Sequence, residues 1–238
     1  MESQAPVSRS LFDARMSKRL IALIAVLAVL AVLISLGGAW LGRFLALGGL
    51  TEDQTLREIV IGNNVLSVPS NTIRFAESRV DGVAERLDIY LHWPDLDGYT
   101  AATRDSFNNA KGDKRILFLA FEEATMSRDM TGRFEPIYRQ LVEQSGRELG
   151  DGLTAYAFKE ASGYRDEELV VGLGASPFVA RCLMGQAAKG SLAPCERDIR
   201  LGEELSLTYR FPRDMLSQSS ELDQAVRERA QSLLRTPN

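Results

Sequence analysis

From Leu20 to Gly42 the chain reads LIALIAVLAVLAVLISLGGAWLG, 23 consecutive residues without a charge. No other stretch restricts the architecture as strongly, because the amphipathic helix of a globular domain carries a polar stripe and this run has none. At a rise of about 1.5 Å per residue, roughly 20 apolar residues cross a bilayer core of about 30 Å. The run therefore predicts a transmembrane helix over 20–42, with Trp40 where an interfacial aromatic anchor sits. Arg9, Arg15, Lys18 and Arg19 precede it, against only Glu2 and Asp13. The positive-inside rule then makes 1–19 a cytoplasmic tail, 43–54 a short tether and 55–238 an exported domain. A signal peptide beginning at Met16 and cleaved near Ala39 is the competing reading, against which the apolar stretch is long. Both readings deliver the later residues to the same compartment.

Arginine outnumbers lysine by 23 to 5, and no Asn-X-Ser/Thr acceptor occurs. This pattern fits a bacterial envelope protein better than a glycosylated ectodomain. The expected location is the inner membrane, single-pass, with the C-terminal domain in the periplasm. The expected partners are that membrane, through Leu20–Gly42, and other envelope proteins.

The compartment bears on the only two cysteines, Cys182 and Cys195, which lie 13 positions apart. In an oxidising periplasm two lone cysteines usually pair. A zinc site needs about four ligands, and the chain has one histidine, His92. A thioredoxin-like centre needs Cys-x-x-Cys. A structural disulfide is the reading, worth roughly 3 kcal/mol for a loop of this size, with two buried free thiols as the alternative.

Strand patterns dominate after residue 50. EIVIGNNVLSVP (58–69) predicts a hairpin about an Asn-Asn turn. In RLDIYLHW (86–93), Leu87, Ile89, Leu91 and Trp93 alternate with Arg86, Asp88, Tyr90 and His92, which predicts a half-buried strand with His92 in solvent. ILFLAF (116–121) suits a strand covered on both faces. GLTAYAF, ELVVGLG and FVARCL follow, and RDIRLGEELSLTYRF (197–211) predicts another hairpin, with Leu205, Leu207, Tyr209 and Phe211 on one face. Two amphipathic helices are expected. One lies at 132–144, with Phe134, Ile137 and Leu141 as its stripe. The other is C-terminal, capped by Ser220 with Asp223 and apolar at Leu222, Val226, Ala230 and Leu233. The expected fold class is α+β: a mostly antiparallel sheet with two amphipathic helices, preceded by the one transmembrane helix.

Of 28 basic and 32 acidic residues, five and two precede residue 51, which leaves the later part at a net charge of −7. That argues against nucleic acid as a partner. No G-x-S-x-G, H-E-x-x-H, Walker A or G-x-G-x-x-G motif occurs. No metal, cofactor or catalytic residue is expected, and enzymatic activity is disfavoured. Glu122 and Glu123 are adjacent in a strand pattern, so they point to opposite faces and cannot act as a facing pair. Arg165 to Glu168 reads as a solvated turn. One loop, HWPDLDGYT, combines Trp93 and Tyr99 with Asp95 and Asp97, a set that could contact a sugar or peptide. The plainer reading is a turn, with Trp93 in the core and the aspartates capping backbone amides.

VIGNNVLSVPSNTIRF, FVARCL followed by CERDI, and LSLTYRFPRDML resemble uncharacterised, single-span, membrane-anchored proteins of Gram-negative bacteria. The resemblance spans most of the exported domain, includes both cysteines and implies the same topology; it carries no activity. The expected function is a non-enzymatic accessory or interaction module of the envelope. The alternatives are a periplasmic glycan- or peptide-binding module and a carboxylate-dependent hydrolase.

Overall fold

The structure is a computed structural model and describes residues 18–19, 21–34, 49–109, 112, 115–174 and 177–235. The chain divides into two compact units, Met1–Gly49 and Leu50–Asn238. In the first, residues 18–19 and 21–34 are helical, and 35–48 lie outside the described residues. The transmembrane helix expected over Leu20–Gly42 falls partly outside the described residues and is not borne out. Among the described residues no helix is long and apolar enough to cross a membrane.

The second unit is a sheet-rich α+β fold. A small sheet holds β1 (Leu56–Ile61), β2 (Asn64–Pro69) and β3 (Gly82–Val83) in the order β2-β1-β3. The large sheet comprises β4 (Arg86–His92), β5 (Ile116–Glu123), β6 (Arg147–Gly150), β7 (Leu153–Ala157), β8 (Glu167–Gly172), β9 (Phe178–Leu183), β10 (Cys195–Leu201) and β11 (Leu205–Phe211). Its order is β4-β5-β11-β10-β9-β8-β7-β6, with every pairing antiparallel.

Side chains alternate across a strand, so the register assigns each residue to a face. Leu87, Leu119 and Leu207 lie on the inner face, as do Ile199 and Ala180, and all join one core. The C-terminal helix Ser219–Leu233 adds Leu222, Val226, Ala230 and Leu233 to that core, and the small sheet adds Ile59, Ile61, Leu66 and Val68. Fully burying one such side chain is worth about 1.5–3 kcal/mol.

Both hairpins form, and Gly62 and Gly202 explain their turns. The first turn is Gly62-Asn63, one residue earlier than the Asn-Asn expectation, since Ile61 pairs with Asn64 and Gly62 sits at φ 55°. A left-handed backbone at that position favours glycine. Asn64 is buried instead, and its side-chain amide donates to the Glu203 carbonyl (2.6 Å) and accepts from the Glu203 amide (3.0 Å). Gly202, at φ 50°, makes room for it, because a Cβ there would stand 2.3 Å from Asn64 Oδ1.

The helix expected at 132–144 is largely absent. Phe134–Tyr138 forms a π-turn and only Arg139–Leu141 is α-helical. Pro136 has no N–H to donate, and Tyr138 reaches back five residues to the Arg133 carbonyl. The wider turn rotates the stripe, so Phe134 and Tyr138 are buried while Ile137 is 43% exposed. The C-terminal helix also departs from expectation at its start. It begins at Ser219 with Gln218 as an N-cap that makes no side-chain bond. A 3₁₀ turn over Arg213–Gln218 leads straight into it, and Asp223 is engaged elsewhere.

Candidate functional site

Among the described residues of this unit, the outer face of the large sheet is covered over β8 and β9 and at the β4 edge. Over β8 and β9, Met130, Phe134, Tyr138 and Val142 pack on Leu169, Val171 and Val179. At the β4 end, Tyr90 stands edge-on to Phe107 at 4.8 Å, and Phe107 in turn meets Tyr99 at 5.5 Å. Between these caps the middle of the face is polar and open. It carries a groove of about 520 Å³ over β4, β5 and β11, and a second of about 280 Å³ over β10 and β11. Glu122, Glu196 and Thr208 line both, so the two grooves are one continuous surface.

Charges on this surface are largely paired across strands. The Arg86 guanidinium takes Asp88 through two bonds of 3.0 Å and Glu122 through one of 2.9 Å. Arg181 takes Glu196 at 2.7 Å and stacks over Tyr164. Arg133 binds Asp198, whose carboxyl is nevertheless lifted above its ordinary range by burial. Arg200 donates to the Met126 carbonyl (2.6 Å), which ties the strap before Phe134 to the face. Two arginines stand apart. Arg74 lies over the rings of Phe75 (5.0 Å) and Phe118 (5.2 Å), and Arg210, register partner of Phe118, reaches only the Ser191 hydroxyl at 3.5 Å. Among the described residues neither has a carboxylate partner.

The inner face holds a buried polar hub. Arg197, 1% exposed, uses all five of its N–H groups. Nε donates to Asp223 Oδ1 (2.8 Å), Nη1 to Thr131 Oγ1 (2.8 Å) and the Val179 carbonyl (2.9 Å), and Nη2 to Asp223 Oδ2 (3.3 Å) and the Pro177 carbonyl (3.5 Å). The Tyr209 hydroxyl (2.7 Å) and Arg227 (2.9 Å) complete the Asp223 carboxylate. Burial opposes ionisation of Asp223, and the Arg197 and Tyr209 hydrogen bonds outweigh it, holding its carboxyl below the ordinary range. Burial, reinforced by Asp223, pushes Tyr209 well above its own. The strand register contained the signal for this hub. Arg197 lies two residues from both Cys195 and Ile199, hence on their buried face.

The loop candidates separate. Trp93 and Tyr99 are buried, at 8% and 2% exposure, so neither presents a ring to solvent. Asp95 and Asp97 are exposed, and the Asp97 carbonyl accepts from the His92 amide (2.8 Å). The loop is held from below by Asn71, which exchanges hydrogen bonds with the Tyr99 backbone. His92 is 8% exposed, against the expectation of a solvated histidine, and its backbone pairs with Ile116 on one side and Asp97 on the other. Glu168, expected in a solvated turn, is a buried member of β8 whose carboxylate is taken by Arg147 (3.1 Å) and Arg213. Among the described residues no group of three or more His, Cys, Asp or Glu could hold a metal ion.

Cys182 and Cys195 form a disulfide and are fully buried. They are register partners at the β9–β10 seam, where only one further pair, Arg181 with Glu196, is in register.

No protein-family model matches the chain, and no curated protein matches it. Among solved structures it is similar to Smlt3025, an immunity protein of the Stenotrophomonas maltophilia type IV secretion system, at 13% identity over 77% of this chain and 94% of that one, with a TM-score of 0.48. It is also similar to FrpD, an iron-regulated outer membrane lipoprotein of Neisseria meningitidis, at 10% identity over 79% and 96%, with a TM-score of 0.44. At such values neither likeness carries an argument about this chain.

Proposed function

We propose that the chain is a non-enzymatic interaction module of the bacterial envelope, and that it binds its partner with the open middle of the large sheet. The observation that carries this reading is the middle of the outer face, which none of the described residues of this unit covers. The inner face is sealed by a helix and a second sheet, while the outer one keeps a continuous polar surface rich in arginine and bordered by aromatics. Arginine and aromatic residues are enriched in protein interfaces. The paired cysteines support an oxidising compartment. The carboxylates along the grooves are mostly engaged by arginines, which suits charge recognition better than proton transfer.

Position-resolved photocrosslinking in cells tests the reading. A photoreactive residue at Ser206 or Thr208 is expected to capture one and the same protein, while Ser217 and Glu228, exposed elsewhere on the unit, capture none. Equal capture from all four positions, or from none, sinks the proposal.

A further inference from the structure

We infer that the partner offers this face an acidic protein segment, whose carboxylates are taken by Arg74 and Arg210 on either side of Phe118. The inference rests on the binding-face reading and adds the chemistry of what is bound. Within the larger groove, Asp88 and Glu122 are consumed by Arg86, and Glu196 by Arg181. The groove's lining is balanced, three arginines against three carboxylates, and the two arginines left without a carboxylate partner are the ones that flank Phe118. Arg74 and Arg210 are both exposed and have no carboxylate partner among the described residues.

Phe118 lies between them in space, under the Arg74 guanidinium and beside Arg210 across the β5–β11 pair. A guanidinium held over a ring keeps its edge N–H groups free, and that edge matches a carboxylate through two parallel hydrogen bonds. Leu192 and Phe75, at 43% and 41% exposure, give the rim an apolar contribution that suits a peptide more than a bare ion.

Fluorescence anisotropy with the purified full-length chain and a labelled peptide of eight glutamates tests the inference. Saturable binding is expected, weakened by raising the salt to about 0.5 M. The double variant Arg74→Gln/Arg210→Gln should bind about tenfold more weakly or worse, with an unchanged melting temperature. Arg165→Gln, an exposed arginine in the turn before β8, should bind as the parent does. No binding by the parent, equal weakening by Arg165→Gln, or competition by millimolar inorganic phosphate as effective as that of unlabelled peptide would each overturn it. Failure here combined with position-specific crosslinking at Thr208 would remove the acidic chemistry and leave the binding face standing.

Discussion

Arg197 shows how one residue can hold several elements together. A buried guanidinium is tolerated only when its donors are satisfied, and here they reach the C-terminal helix, the strap at Thr131 and two carbonyls near the start of β9. Removing one partner should therefore cost more than the pair contributes. Asp223→Asn is expected to lower stability by about 3–5 kcal/mol at pH 7, read from urea denaturation, because it leaves Arg197 charged and half-partnered. The pH dependence follows from the two shifts. Asp223 has its folded pKa depressed, so its contribution is present above the unfolded value of about 4 and is lost as pH falls through the folded value. Tyr209 has its folded pKa raised, so its contribution is present below about 10 and is lost as pH rises through the folded value. Asp223→Asn should lose part of the acid-side decline seen in the wild type. An unchanged acid limb in that variant would show that Asp223 does not control it.

At the scale of elements, the β9–β10 seam is where the large sheet is weakest. β10 and β11 share seven register pairs, β10 and β9 only two. Three devices close the gap: the Cys182–Cys195 disulfide, the Arg181–Glu196 pair on the outer face, and Arg197, which donates to the Val179 carbonyl of β9. The double variant Cys182→Ser/Cys195→Ser should lose about 3 kcal/mol, and amide exchange should accelerate first in β9 and β10. In protein taken from cells both thiols should resist alkylation until reductant is added. Uniform acceleration across the sheet would mean that the seam is not the local weak point. Period-two patterning located most of these strands, because each strand's alternation is a local property. The seam itself was illegible, since the distance between two strands depends on what each packs against.

For the whole molecule, the decisive feature is that the two faces of one sheet have opposite fates. Neighbouring residues on β11 test this directly: Thr208→Arg on the outer face should leave stability within about 0.5 kcal/mol, whereas Leu207→Arg should abolish folding, as judged by circular dichroism and thermal melting. Equal tolerance of both would contradict the face assignment. By itself the sequence determined the sheet-rich α+β character, the inner-face alternation of Leu205, Leu207, Tyr209 and Phe211, and the apolar stripe of the C-terminal helix. Each depends on the spacing of apolar residues along one segment. It read the run at 20–42 as a membrane span, whereas among the described residues no helix is long and apolar enough to cross a membrane, and it left His92 and Glu168, both buried, in solvent. Only the tertiary structure decided which outer-face residues stay uncovered and which charges cancel. Arg74, Phe118 and Arg210 come from three segments, and their juxtaposition exists only once β5 and β11 are paired and the chain before β3 lies along β4. A surface assembled from distant segments has no local period, because pairing and packing, rather than spacing along the chain, bring its charges together.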